Sequence, residues 1–330
     1  MKALIFGAGG AGDVISCVLA MEYYRKLGYE TLIGSIIWER YVIDPVPGPI
    51  NFEELRNAVR INDCVFLLNT DTFANRAGNI VTPTLVKVIR SLNLQKGYAL
   101  NNRLGPRHLA NCIEGLVRKE GIDLVIGVDA GGDMMTRGDE ETIMSPLIDA
   151  ISLAALYILR QVGINAILGV IGCGSDGELG HDYFLKLVSE IARGGGLIDI
   201  KGYDLNTASK VKLILEDAES EASRIPLEAF FGLYGEVKIR KNTRNVFVTP
   251  ASAVMFFLDP VKVFEMNKLA GLVLNASSLD EANMLLNRNS IYTEYDFEKD
   301  IFKAFGLNAR NIDGETIRKI RTEGKRRLLF

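Results

Sequence analysis

Short apolar runs that end in glycine- and acid-rich loops, each followed by a segment of helical periodicity, recur through the first two-thirds of the chain. Lys2–Phe6 is predicted as a strand, and Val14–Leu27 as a helix stopped by Gly28. Further strands are predicted at Thr31–Ile37, Cys64–Leu68, Tyr98–Leu100, Asp123–Val128 and Ala166–Ile171. Further helices are predicted at Asn51–Ala58, Pro83–Ser91, Leu109–Lys119, Asp182–Ala192 and behind the start signal Ser145-Pro146. Strand–helix alternation of this kind implies an α/β fold, a Rossmann-like doubly wound, mainly parallel sheet with helices on both faces. Right-handed crossovers then put the strand-to-helix loops along one edge, so Gly9, Asp129 and Gly174 are expected close together.

After Gly202 the rhythm changes. Asn206–Ser223 reads as one long charged helix, and Glu236–Arg240 with Asn245–Thr249 as a hairpin around Lys241-Asn-Thr-Arg244. Pro260–Leu269 and Leu279–Asn287 read as helices, the second capped by Ser278 with Glu281 three residues on. The expected organisation is a core over 1–202, with 203–330 a smaller α+β extension packed on it rather than an independent domain. With 48% apolar and 24% charged residues over 330 positions, disorder and a disulfide-stapled miniprotein are excluded. The net charge of -3 gives no global attraction to nucleic acid or to an anionic membrane, and neither is expected as a partner. The most apolar stretch, Ser145–Val162, is interrupted by Asp149 and Arg160 and reads as a buried helix, not a membrane span. Four scattered cysteines (Cys17, Cys64, Cys112, Cys173) fit a reducing cytoplasm. Two histidines, His108 and His181, argue against a histidine-based zinc site.

Three loops carry the chemistry. The first strand runs into Gly7-Ala-Gly9-Gly10-Ala-Gly12-Asp13, a G-x-G-x-x-G between strand and helix. Glycines let backbone N–H groups approach a phosphate, and a helix N-terminus adds partial positive charge. Plain NAD binding would want an acid ~20 residues on, at the end of the second strand; the nearest is Glu39, beside Arg40. Asp13 could cap the helix or hold a metal or ligand hydroxyl, and the glycines could serve only helix–sheet packing. The fifth strand ends in Asp129-Ala-Gly131-Gly132-Asp133, with Asp139, Glu140 and Glu141 beyond. Carboxylates on a glycine loop suit Mg2+ or Mn2+, which prefer oxygen ligands, or substrate hydroxyls. The sixth strand ends in Gly172-Cys173-Gly174-Ser-Asp176-Gly-Glu178, before His181. Cys173 is either a nucleophile or small filler, and His181 either an acid–base group or a helix-start residue. Trp38 could stack on a base or pack in the core. Arg318–Arg327 reads as a solvated terminus or a contact between subunits of a homo-oligomer.

Gly9-Gly10-Ala11-Gly12-Asp13, Trp38-Glu39-Arg40 with Asp44-Pro45 and Pro47-Gly48-Pro49, Asp129 with Gly131-Gly132-Asp133, Ser145-Pro146-Leu147 with Asp149, and Gly172 to Glu178 occur in this order. Together, over about residues 5 to 180, they resemble the domain-of-unknown-function family 1152, a mainly archaeal set. The resemblance implies a cytoplasmic protein with these segments as its signature, and it brings no activity with it. Residue chemistry supplies the functional expectation: a divalent-metal-assisted enzyme acting on a phosphorylated or nucleotide-like small molecule. Asp129, Asp133 and Asp176 are the expected catalytic residues, with Asp129 and Asp133 holding Mg2+ or Mn2+. Gly7, Gly9, Gly10, Gly12, Asp13, Gly131, Gly132, Gly174 and Glu178 would contact the anionic ligand, with Arg40 and Arg103 clamping its charge. The alternatives are a non-catalytic nucleotide or metabolite sensor and an NAD(P)-dependent oxidoreductase.

Overall fold

The computed structural model describes residues 1–329. Its strands are β1 (Lys2–Gly7), β2 (Glu30–Ile36), β3 (Leu55–Arg60), β4 (Val65–Arg76), β5 (Asn79–Val81), β6 (Gly97–Leu100), β7 (Leu124–Ala130), β8 (Ala166–Ile171), β9 (Leu197–Gly202), β10 (Gly235–Ile239), β11 (Arg244–Val248) and β12 (Val254–Leu258). One mixed sheet runs β3-β4-β6-β2-β1-β7-β8-β12-β9, with β5 on β4, and β10 and β11 form a separate hairpin. Within the large sheet β4 and β12 alone run against the rest. The five central strands β6-β2-β1-β7-β8 are parallel. Their order is that of a doubly wound sheet whose winding reverses between β1 and β7, where the loops diverge and leave a crevice.

The centre of the sheet is the apolar part of the sequence. Every residue of β7 and β8 is buried, as two-sided coverage by helices demands. One face packs the helices Cys17–Lys26, Thr84–Ser91, Leu205–Leu215 and Glu221–Phe230. The other packs Gly105–Glu120, Pro146–Gln161, His181–Arg193 and the short helices between residues 260 and 287. No helix among the described residues is long and apolar enough to cross a membrane.

Several segments differ from the sequence expectation: β5 and β9 lie where no strand is expected, and Pro260–Leu269 is split into the helices Pro260–Met266 and Lys268–Val273. Asn51–Ala58 is a single turn, Phe52–Glu54, followed by β3, because pairing with β4 (Leu55 opposite Ala74, Arg60 opposite Phe66) outweighs local helical preference. The run starting at Cys64 continues to Arg76, whose guanidinium is buried against Asp44 and Glu54. Asn206–Ser223 is two helices, because Ser220 accepts from the Ser223 N–H (3.3 Å) and starts a second one. Val254–Leu258, given no strand in the sequence reading, enters the sheet between β8 and β9. The segments before and after residue 202 therefore share one sheet.

Candidate functional site: a carboxylate floor under an arginine wall

The loops after β1, β7 and β8 meet as the alternation predicts, with the Gly174 N–H donating to the Gly131 carbonyl (2.8 Å). The β1 loop does not enter an α-helix directly. It passes through a 3-10 turn, Ala11–Ile15, and the Gly9 N–H donates to Asp13 Oδ2 (2.9 Å). A Cβ on Gly9 would lie 2.6 Å from Asp13 Oδ2 and 2.7 Å from Asp149 Oδ1. The glycine thus lets two carboxylates close on the backbone, and its amide is already committed to one of them. Gly10 and Gly12 line the crevice beside Asp13, while Gly7 packs beneath, against the Val14 backbone.

Asp129 ends β7 and accepts from the Gly132 N–H (3.3 Å) and the Met134 N–H (3.1 Å). Asp133 follows on the next turn, and Asp149 projects from the first turn of the helix Pro146–Gln161. At Gly131, with φ of 135°, a Cβ would lie 2.4 Å from Asp176 Cγ, so the bare backbone admits the Asp176 side chain. Asp129, Asp133 and Asp149 each bring an oxygen within 4.8 Å of the others, as do Asp133, Asp176 and Glu178.

The charge in this floor is not balanced by local hydrogen bonds. Asp149 is 2% exposed, and neither of its carboxylate oxygens has a partner; Asp176 Oδ2 has none either. Burial pushes Asp13, Asp133 and Asp149 well above the usual carboxylate range, and neighbouring carboxylates add to it. Burial also raises Asp129 to about 6, against the opposing Met134 and Gly132 N–H groups. It raises Asp176 to about 7, with the Glu178 charge adding. Carboxylates this close must share protons or a cation. Glu178 is the exception. Burial alone would raise it, but the Arg244 guanidinium, the Ser145 hydroxyl and the Met144 N–H outweigh burial and hold it down to about 2. Its oxygens accept from Met144 N–H (2.5 Å), Ser145 N–H (2.9 Å), the Ser145 hydroxyl and Arg244 Nη1 (2.9 Å). Asp129, Asp133 and Asp149 are the set, free of such an arginine partner, whose oxygens could take a metal ion.

Above the floor the crevice opens into a cavity of about 540 Å³. Arg40 and Arg240 line both spaces, and Arg244, Arg321, Arg318 and Lys241 line the larger one. Arg244 Nη1 also donates to the Asp176 carbonyl (2.8 Å). Burial lowers Arg321 to about 10, helped by repulsion from Arg244, and Arg240 is lowered by burial, Arg244 and Arg40. Arg40 is held up against burial by Glu294 and Glu298. Arg40 Nη1 and Arg240 Nε are buried donors with no hydrogen-bond partner, the second at ion-pair distance (3.7 Å) from Glu221 Oε2. Glu294 caps the Asp149 helix from a distance, accepting from Ile148 N–H (2.7 Å) and Leu147 N–H (3.1 Å).

Some expected residues lie elsewhere. Arg103 sits beside Gly48, with Nη2 3.5 Å from the Pro49 carbonyl, and does not line the cavity. Trp38 is core, its indole N–H donating to Glu298 (2.8 Å). Cys173 is buried with its thiol 3.4 Å from the Ala251 carbonyl, and burial pushes it up to about 12, away from the thiolate form that a nucleophile needs. His181 Nε2 is 2.8 Å from the Thr249 hydroxyl at a helix start. Glu140 braces its turn, accepting from the Arg137 and Gly138 N–H groups, and ties it to the helix His181–Arg193 by accepting from the Tyr183 hydroxyl (2.9 Å). The basic tail is neither a loose terminus nor all surface: it forms the helix Gly314–Arg327, which turns Arg318 and Arg321 into the cavity. The sequence reading missed Asp149 as a site residue. It also missed Arg240, Arg244, Arg321 and Glu294. An acid inside the most apolar helix was a signal for Asp149; charged residues in and beside a hairpin turn gave none for the arginines.

The fold and site define a doubly wound α/β protein with a buried carboxylate cluster at the point where the winding reverses. A family model described as "Protein of unknown function (DUF1152)" matches residues 4–302, and the chain belongs to that family. The match reaches past the signature segments to include Arg240, Arg244 and Glu294. No curated protein matches. Among solved structures the chain has a faint likeness to one titled "Crystal Structure of UDP-galactose 4-epimerase". It is 13% identical, with a TM-score of 0.23 over 91% of this chain and 99% of that one.

Proposed function

We propose that the protein is a divalent-metal-assisted enzyme acting on a phosphorylated or nucleotide-like small molecule in the cytoplasm. One observation carries the reading: a cluster of buried carboxylates with unpartnered oxygens opens directly into a cavity walled by arginines with unpartnered donors. The first half of that arrangement suits a hard cation, and the second suits the anionic oxygens of a ligand bridging to it. Asp129, Asp133 and Asp149 would hold Mg2+ or Mn2+, which supplies Lewis acidity when bound. Arg40 and Arg240 would bind and orient the phosphate oxygens, while Arg244 fixes the Asp176–Glu178 loop. Asp176, raised to about 7, is suited to hold or release a proton beside the ligand. Against a dinucleotide enzyme stands Glu39, the nearest acid to the ribose position, which is buried and already holds the helix start at Thr84, one oxygen accepting from the Thr84 N–H (2.6 Å) and the other from the Thr84 hydroxyl (2.7 Å). All four cysteines are free and buried, which supports a reducing compartment.

The test is a thermal-shift panel of nucleotides and sugar phosphates with and without Mn2+, followed by turnover assays on whatever binds. The proposal expects a ligand whose shift depends on both Mn2+ and Arg240, with metal-dependent turnover. Binding without turnover would favour a sensor, and a shift given by NAD(P) alone would favour the oxidoreductase.

A further inference from the structure

Cys64, His108 and Cys112 belong to no part of the crevice, yet the fold gathers them. His108 and Cys112 lie one turn apart on the helix Gly105–Glu120, a spacing that puts both on one face. That face meets the turn joining β3 to β4, in which Cys64 immediately precedes β4. Asn62 ties the two together: its Nδ2 donates to the Cys112 carbonyl (2.9 Å), and its Oδ1 accepts from the Cys64 (3.1 Å) and Val65 (2.9 Å) N–H groups. One ligand atom from each of Cys64, His108 and Cys112 lies within 4.8 Å of the others. Both cysteines are buried, and His108 Nε2 is a buried ring nitrogen with no hydrogen-bond partner, 3.6 Å from Asp63 Oδ2.

We infer that these residues form a zinc site, with Cys64, Cys112 and His108 as ligands and the exposed Asp63 carboxylate, now beside His108 Nε2 only, rotating in as the fourth. Zn–S bonds of ~2.3 Å and Zn–N bonds of ~2.0 Å give tetrahedral ligand-to-ligand edges of roughly 3.3–3.8 Å, so the sulfurs and the ring nitrogen, each within 4.8 Å of the others, have to draw together by no more than about 1.5 Å. Two thiolates and an imidazole select zinc over the hard cations suited to the carboxylate floor. Binding releases the two thiol protons to water and changes no oxidation state. Four ligands from a turn and a helix make the site structural, a clip between the β3–β4 hairpin and the helix behind it. The scarcity of histidine argued against such a site in the sequence, but one histidine is enough once the fold supplies two sulfurs.

The probe is Co2+ titrated into the full chain after reduction and removal of metals. At one equivalent the expected spectrum has a thiolate-to-cobalt charge-transfer band in the near ultraviolet and the intense visible bands of tetrahedral cobalt. One equivalent of Zn2+ should abolish both. Losing an outer-shell partner costs about 10–100-fold in metal affinity, so Cys112→Ser, which removes a ligand, should cost at least that and lose most of the charge-transfer band. Asp133→Asn, in the other cluster, should leave the spectrum unchanged. A reduced wild-type chain with no charge-transfer band would overturn the inference, whether or not it oxidises to a Cys64–Cys112 disulfide. So would a band that survives in the Cys64→Ser/Cys112→Ser double variant. The wild-type titration decides even if a variant fails to fold.

Discussion

Asp149 carries a carboxylate that the apo protein has no local reason to keep. Its oxygens are unpartnered, and Asp129, Glu294 and Asp13 all add to the charge around it. Held well above the usual carboxylate range, Asp149 must keep at neutral pH a proton that the unfolded chain gives up, so Asp149→Asn should raise apo stability at pH 7, by about 1–2 kcal/mol. Urea unfolding in the presence of a chelator measures it, and Mn2+ should then stabilise the variant less than the wild type. Gly9→Val should fail differently. Its side chain would displace the Asp13 and Asp149 carboxylates, whose oxygens lie under 3 Å from the added Cβ. The expected cost is about 1–3 kcal/mol of ligand-free stability, together with loss of the metal-induced shift. A variant with normal stability and a full Mn2+ shift would remove Gly9 from the site. Both residues were visible in the sequence, Gly9 as part of a glycine fingerprint and Asp149 as an acid in an apolar helix. Their contact was not, because it depends on how the helix Pro146–Gln161 packs across the end of β1.

The helix Pro146–Gln161 shows how local signals and long-range ones divide. Ser145-Pro146 correctly marks its start, but the Ser145 hydroxyl is given to Glu178, and the buried amides of the first turn are met by Glu294, nearly 150 residues on. Glu294→Ala should leave two buried N–H groups unpaired and remove a counter-charge from Arg40, at a cost of about 2 kcal/mol. Glu294→Gln, which keeps an acceptor, should recover part of it; chemical unfolding of the two variants separates them, and equal stability of Glu294→Ala and wild type would refute the long-range cap. The strands of the core were legible because burial on both faces writes itself as continuous apolar runs, as in Ala166–Ile171. β12 was not, since its antiparallel insertion between β8 and β9 is a non-local choice with no turn beside it to signal the pairing. The arginine wall was hidden for the same reason. Arg240 and Arg244 flank a hairpin turn that reads as ordinary surface, and Arg321 sits in a tail that reads as solvated.

The molecule as a whole should show its buried acids in its pH profile. Burial raises Asp129 to about 6, and Asp176, Glu39 and Glu298 to about 7. A carboxyl with a raised folded-state pKa binds its proton more tightly when folded. Its contribution to stability is full below about pH 4 and is lost as pH rises through 6 to 7. For Glu39, raised from 4.5 to about 7, the loss is about 3 kcal/mol. Melting temperature of the metal-free protein should thus fall from pH 5 to pH 8, and Glu39→Gln should flatten part of the slope. A profile that stays level or rises over that range would contradict the assigned burial of these groups.

The central claim is that Asp129 and Asp133, in and just after β7, and Asp149, on the helix Pro146–Gln161, form a divalent-cation site. Calorimetric titration of Mn2+ into the metal-free wild type and into Asp133→Asn, at pH 7.5 and with the cysteine–histidine cluster first filled with Zn2+, tests it most directly. Asp133 contributes to both oxygen clusters, so the account predicts one Mn2+ bound per wild-type chain and an affinity at least about tenfold weaker in Asp133→Asn, since a hard cation loses a charged oxygen ligand. Equal Mn2+ affinity in the two proteins, or no Mn2+ binding to the wild type, would contradict it.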